Sequence, residues 1–301
     1  MALTTRRAVL AGFGSFGLGS FAAGGLTSPV WAVAPDASSF TTTVRTLERR
    51  SGGRLGVAVI DTQSGKQSGW RADERFPMCS TFKLVAAAAV LRRVDRGAEQ
   101  LDRRVVIRHR DIITYSPVTK ERIGQAGISI ADLCEAAVTL SDNTAANLIL
   151  KSLGGPRAFT AFARSLGDHA TRLDRIEPHL NSAIPGDRRD TTTPAAMAKT
   201  VRALVLGDAL SAASRVQLVA WLRGNKTGDT RLRAGLPDGW ICGDKTGTGV
   251  RGTSNDIGVL WPPQQRAPLV VTAYLTGSTG DAKARDAILA DVARAVVEMA
   301  G

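Results

Sequence analysis

Ser80 and Lys83 stand three residues apart, just before the apolar run Leu84-Val85-Ala86-Ala87-Ala88-Ala89-Val90-Leu91. On a helix this spacing puts hydroxyl and amine on one face. The helix N-terminus adds partial positive charge beside the hydroxyl. A serine with an amine in reach and that field around it can act as an activated nucleophile. The same residues also fit a serine cap with a solvated lysine. Against that, Lys83 opens a helix with no other polar residue for two turns, so its charge is expected to be buried and to have a role. Ser141-Asp142-Asn143 follows the apolar stretch Ala136-Ala137-Val138-Thr139-Leu140. Ser141 or Asp142 should cap the next helix, and a hydroxyl and carboxamide on a cap can also face a cleft. Lys-Thr-Gly occurs twice, at Lys226-Thr227-Gly228 and Lys245-Thr246-Gly247. The second copy ends an expected strand, Trp240 to Asp244, and runs on into Thr248-Gly249. Strands hold chemistry more rigidly than loops, and glycine lets a ligand approach the backbone. The second copy is therefore taken as the functional one and the first as a bystander.

These residues need elements to position them. Phe40, Val44 and Leu47 recur at helical spacing, which predicts a helix over 38–50, stopped by Gly52-Gly53. The segment 55–60 is apolar on both faces, as a strand covered on both sides would be. Thr62 to Lys66 reads as a turn into a second strand ending near Arg71. From Ser80 to about Leu222 the pattern is mostly helical. Loops are expected at Ser116-Pro117, at Gly154-Gly155-Pro156 and from Glu177 to Thr193. Strands return over 239–245, 254–260 and 269–275, and a last helix runs over 282–299. This predicts a nested arrangement. An antiparallel sheet built from both chain ends is flanked by the terminal helices (38–72 plus 226–301), and an all-helical domain (73–225) is inserted into it. Active sites favour such interfaces.

The chain has 301 residues, with 44 % hydrophobic and 22 % charged residues, ordinary values for a globular protein. Lysine and arginine number 39 against 27 acids, a net charge of +12. The basic residues are scattered singly and in pairs, and aromatics make up only 5 %, so nucleic-acid binding is not expected. Residues 1–34 carry only Arg6 and Arg7 as charges. The segment Thr5-Arg6-Arg7-Ala8-Val9-Leu10, a Gly/Ala-rich apolar stretch and Ala32-Val33-Ala34 predict a twin-arginine leader, with cleavage near residue 34. The mature protein is then exported, to the periplasm, and not stably attached to a membrane. His109, His169 and His179 form no i,i+4 pair and Cys79, Cys134 and Cys242 no short-spaced pair, so neither a metal nor another cofactor is expected.

The three motifs, in this order and spacing, resemble those of class A serine β-lactamases and penicillin-binding proteins. A further segment makes the chain similar to the former. Arg172-Leu173-Asp174-Arg175-Ile176-Glu177-Pro178-His179-Leu180-Asn181, with Asp190 after it, looks like the family's Ω-shaped loop closed by an Arg175–Asp190 ion pair. The likeness spans residues 38–301 and implies a five-stranded antiparallel sheet. It also implies roles. Ser80 is the nucleophile, with Lys83 beside it as proton acceptor or electrostatic aid, and the backbone N–H groups of Ser80 and Thr248 form the oxyanion hole. Ser141 relays a proton to the lactam nitrogen. Glu177 activates a deacylating water shared with Asn181. Asn143 meets the substrate's side-chain amide, while Lys245, Thr246, Gly247 and Thr248 form the carboxylate subsite, and Tyr115 walls the cleft mouth. Many members carry an arginine where this chain has Ser254, and Arg231 falls where others supply the guanidinium instead. Half-cystine positions of some members are Ala87 and Gly249 here, so Cys134 and Cys79 should stay unpaired. The implied function is hydrolysis of β-lactams by a monomer. A D-Ala-D-Ala peptidase or a β-lactam sensor would share the acylation apparatus but not the Glu177–Asn181 pair.

Overall fold

The structure, a computed structural model, describes residues 35–300, so the expected leader lies outside the described residues. In chain order the elements are α1 (Pro35–Ser51), β1 (Arg54–Asp61), β2 (Gln67–Trp70), β3 (Phe76–Pro77), α2 (Phe82–Asp95), β4 (Arg104–Val105), β5 (Ile128–Ser129), α3 (Ile130–Thr139) and α4 (Asn143–Leu153). Then follow α5 (Pro156–Ser165), β6 (Thr191–Thr192), α6 (Pro194–Val205), α7 (Ala212–Arg223), β7 (Ile241–Gly249), β8 (Thr253–Trp261), β9 (Leu269–Thr276) and α8 (Ala282–Ala300). Short 3-10 turns at Cys79–Thr81, His179–Asn181 and Leu232–Gly235 connect some of them.

The main sheet has five strands in the order β2-β1-β9-β8-β7, each neighbouring pair antiparallel. Strand alternation splits its side chains between two cores. Leu55, Val57 and Val59 of β1 join Val271, Ala273 and Leu275 of β9 under α1 and α8. Phe40, Val44 and Leu47 of α1 and Ile288, Leu289, Val292 and Val296 of α8 cover that face. On the other face Ala58, Ile60, Val270 and Tyr274 pack into the core of the helical segment. At its centre is α2, buried continuously from Phe82 to Leu91. This all-round burial explains why its pattern has no polar stripe.

Two features differ from the sequence expectation. The segment 73–225, expected to be all helical, also carries two ladders, β3–β6 and β4–β5. Each strand has two residues, too short for alternation to register in a sequence. Strand β7 does not stop before Lys245 but continues to Gly249, in register with β8 throughout. Lys245-Thr246-Gly247 thus lies inside a strand, and that strand is an edge of the sheet.

Candidate active site

The nucleophile candidate sits in the 3-10 turn before α2, not on its cap. Ser80 caps nothing, and its hydroxyl donates to Glu177 Oε1 at 3.1 Å. Cys79 before it holds a left-handed φ of +46°, which is costly for a non-glycine residue and is typical of functional turns. The turn is held from three sides. The side-chain amide of Asn255 on β8 donates to the carbonyls of Pro77 (2.9 Å) and Met78 (3.1 Å). The Met78 N–H donates to the carbonyl of Asp190 at 2.9 Å. Strand β7 presses on the turn through glycines: a Cβ at Gly247 would lie 2.7 Å from the Met78 carbonyl, and one at Gly249 2.7 Å from Cys79 Sγ. Only glycine permits that approach.

Lys83 is fully buried. Its ammonium lies 3.0 Å from Glu177 Oε1 and donates to Asn143 Oδ1 (2.6 Å), the Ser141 carbonyl (2.8 Å) and Ser141 Oγ (3.3 Å). The hydroxyl of Ser80 bonds Glu177 and not Lys83, although Glu177 Oε1 touches both. Burial pushes the pKa of Lys83 down, and the Glu177 carboxylate opposes that shift. Lys245 is also fully buried and donates to Ser141 Oγ (3.2 Å) and to the Thr246 carbonyl (2.9 Å). Burial, and next the charge of Lys83, lower its pKa to about 7. Ser141 Oγ thus lies between two amines, on a residue with φ +58°. Its neighbour Asp142 is the cap, accepting from the Ala145 N–H at 2.8 Å.

Asp190 closes the Glu177 loop. One oxygen takes the N–H groups of Asp174 (2.7 Å) and Arg175 (2.9 Å), and the other takes Arg175 Nε at 2.6 Å. Asn181 Nδ2 donates to Glu177 Oε2 at 2.6 Å. Asn147 clamps the Glu177 backbone, donating to its carbonyl at 2.9 Å and accepting its N–H at 3.0 Å. Asn147 belongs to none of the motifs singled out in the sequence. The available signal was its place four residues after Asn143, on the same helix face. Asn143 spends part of its capacity internally, its Oδ1 on Lys83 and one N–H on the Thr114 carbonyl at 2.9 Å, which leaves one donor for a ligand. Tyr115 has 57 % of its surface exposed, and its carbonyl accepts the Asn143 N–H at 3.0 Å.

Arg231 lies behind β7. It donates to Asp286 Oδ1 (2.9 Å), the carbonyls of Gly247 (3.0 Å) and Asn255 (2.8 Å), and Thr248 Oγ1 (2.8 Å). Thr248 itself is exposed. Arg285 of α8, also outside those motifs, donates to Ser254 Oγ at 3.1 Å and brings a second guanidinium to the position where the family's arginine is absent. The first Lys-Thr-Gly is not a bystander. The hydroxyls of Thr227 and Thr246 share a hydrogen bond of 2.5 Å. Gly228 backs onto buried Asp244, which Asn225 and Arg233 also hold. Cys79, Cys134 and Cys242 are buried free thiols.

Fold and site together place a serine, a carboxylate and two buried lysines at one junction of the sheet and the helical segment. The β-lactamase enzyme family matches residues 39–300. β-Lactamase OXY-2 of Klebsiella oxytoca is 54 % identical over 252 residues, covering 84 % of this chain and 86 % of its own. β-Lactamase CTX-M-8 of Citrobacter amalonaticus is 49 % identical over 272 residues, covering 90 % and 92 %. Among solved structures, an ancestral (GNCA) class A β-lactamase superposes with a TM-score of 0.85 at 65 % identity, covering 86 % of this chain and 99 % of its own. The chain belongs to the class A β-lactamases.

Proposed function

We propose that this β-lactamase opens penicillins and cephalosporins through an ester on Ser80 and releases them with water activated by Glu177, and so confers resistance. The observation that carries the reading is the placement of one carboxylate. Glu177 accepts from Ser80 at Oε1 and from Asn181 at Oε2, and it pairs with Lys83. In acylation Ser80 Oγ gives its proton toward Glu177 and attacks the lactam carbonyl. The C–N bond breaks, and the nitrogen takes a proton delivered through Ser141, which two amines flank. The backbone N–H groups of Ser80 and Thr248 stabilise the oxyanion. The acylated serine has no proton left to donate. Lys83, having given a proton through Ser141 to the nitrogen, takes back the one that Glu177 received 3.0 Å away, so Glu177 is again a carboxylate. It accepts a proton from a water as that water attacks the ester, the acyl bond to Ser80 Oγ breaks, and Glu177 returns the proton to Ser80. Lys83 and Lys245 supply positive field, and Lys245, Thr246 and Thr248 meet the substrate carboxylate with Arg231 behind them.

The expected division of the chain supports this reading, because Ser80, Ser141 and Glu177 come from the helical segment and Lys245, Thr248 and Arg231 from the sheet segment. The twin-arginine pattern of residues 5–10 supports export to the periplasm, and the protein is read as a monomer. Among the described residues no helix is long and apolar enough to cross a membrane.

The test is a count of penicillin molecules consumed per protein molecule. Many per protein is the expected result. One per protein, with the protein heavier by one penicilloyl group, would fit a peptidase-like protein or a sensor and overturn the role of Glu177.

A further inference from the structure

Behind the Glu177 loop lies a cavity of about 290 Å³ that the proposed reaction does not use. That volume is near the lower end of pockets that hold small molecules. Five arginines line it, Arg54, Arg75, Arg175, Arg189 and Arg251, with one acidic residue, Asp187, and the surface between them is mainly apolar. Three of the five have acidic partners: Arg175 meets Asp190 at 2.6 Å, Arg189 meets Asp187 at 2.8 Å, and Arg54 faces Glu74 at 3.7 Å. The other two bond only neutral oxygens. Arg75 donates to the Ala170 carbonyl (2.8 Å) and to Thr191 Oγ1 (3.0 Å), and Arg251 donates to the Ser182 carbonyl. Burial, and then the charges of Arg188, Arg172 and Arg164 outside the cavity lining, disfavour the protonated form of Arg75, while Asp168 opposes that shift. Like charges gathered around a cavity repel one another, and an anion placed among them relieves that repulsion.

We propose that this cavity binds a small polyanion, a molecule bearing two or more carboxylate or phosphate groups, held by Arg75 and Arg251. The walls belong to separate segments. Arg75 precedes β3, Arg251 lies in the β7–β8 turn, and Leu180 to Asp187 belong to the Glu177 loop. An occupant therefore ties the loop to the sheet. Leu180 adjoins Asn181, whose amide holds Glu177, so the site acts on the loop from its rear.

Citrate is the probe, titrated into the purified protein by calorimetry at constant ionic strength, with amide hydrogen exchange followed over residues 180–187. One site is expected. At ten times its Kd, citrate should slow opening of that segment about tenfold, the factor by which a ligand of the closed form reduces opening. Loss of one charge-assisted contact, in Arg75→Gln or Arg251→Gln, should raise Kd about tenfold or more. Arg110→Gln, an exposed position outside the cavity, should leave Kd unchanged. Should Arg75→Gln fail to fold, the exposed Arg251→Gln decides. Equal binding by the cavity variants places citrate outside the cavity and overturns the proposal. Equal weakening in Arg110→Gln reduces the effect to general charge and also overturns it, as does absence of binding.

Discussion

Replacing Arg231 by alanine tests how the carboxylate subsite is built. A guanidinium has five N–H donors, and the four hydrogen bonds of Arg231 leave one free. Because Arg231 donates into Thr248 Oγ1, the hydroxyl proton of Thr248 is directed elsewhere, toward the cleft. In the proposed reaction Arg231 would serve a substrate carboxylate twice, with its remaining N–H and through Thr248. Hydrogen bonds to charged groups contribute about 1.5–3 kcal/mol, so Arg231→Ala should lower kcat/KM for a penicillin roughly 10- to 100-fold. The substitution also leaves Asp286 with Thr230 as its remaining partner and takes a donor from two strand carbonyls. Removing one partner of a buried pair costs about 3–5 kcal/mol, and the partial exposure of Asp286 points to the lower end, about 3 kcal/mol. The assay compares a penicillin with its methyl ester in wild type and variant, alongside thermal melting. The ester lacks the charge, so its kcat/KM should change little. Thr248→Ala combined with Arg231→Ala should lose less than the two singles added together. Equal losses on acid and ester would refute the argument and leave Arg231 a purely structural residue. Arg233→Ala is not a suitable control, because Arg233 pairs with buried Asp244 at 2.5 Å. Arg294→Ala, at an exposed site on α8, is suitable.

Glu177→Ala should still acylate, because loss of the carboxylate that holds the Lys83 pKa up lets Lys83 take the Ser80 proton, but it should release product about 10²-fold more slowly or worse, as for loss of a general base. Mass spectrometry should then find the protein mostly as its penicilloyl ester, and unchanged turnover would remove the assignment. Lys245, with its pKa lowered to about 7, carries its charge below that pH, so kcat/KM for carboxylate substrates should fall as pH rises above about 7. Lys245→Arg should abolish that fall, because guanidinium keeps its proton. Between about 7 and the ordinary 10.5 the unfolded chain binds more protons at this residue, so its contribution makes stability rise with pH there, which melting measured against Lys245→Met would show. Gly228→Ala would put a Cβ 1.9 Å from Asp244 Oδ2. It should cost about 1–3 kcal/mol by overpacking, read as a drop of several degrees in Tm, and an unchanged Tm would return the first Lys-Thr-Gly to bystander status.

Local pattern was enough where the determining forces act over one or two turns. The three-residue spacing of Ser80 and Lys83, the unbroken apolar run that became buried α2, the stripe of Phe40, Val44 and Leu47, and the both-faced strand β1 all follow from helical or strand period and burial. Lys83, the only polar residue opening that run, was legible as a buried charge for the same reason. The cap after Leu140 was legible as a position, but the choice of Asp142 over Ser141 depended on Ser141 turning left-handed to face two lysines. Other features arise from pairing across long stretches of chain, which no local period encodes. Ser80 bonds Glu177 across 97 residues, and Arg231 meets Asp286 across 55. The role of the first Lys-Thr-Gly emerged only when Thr227 was placed against Thr246. The extension of β7 through Gly249 came from its register with β8. Arg285 and Asn147 gained significance from what lay opposite them. The lowered pKa of Lys245 is likewise tertiary, because it comes from exclusion of water and from the nearby charge of Lys83, neither of which exists until the helical segment and the sheet close over the same site.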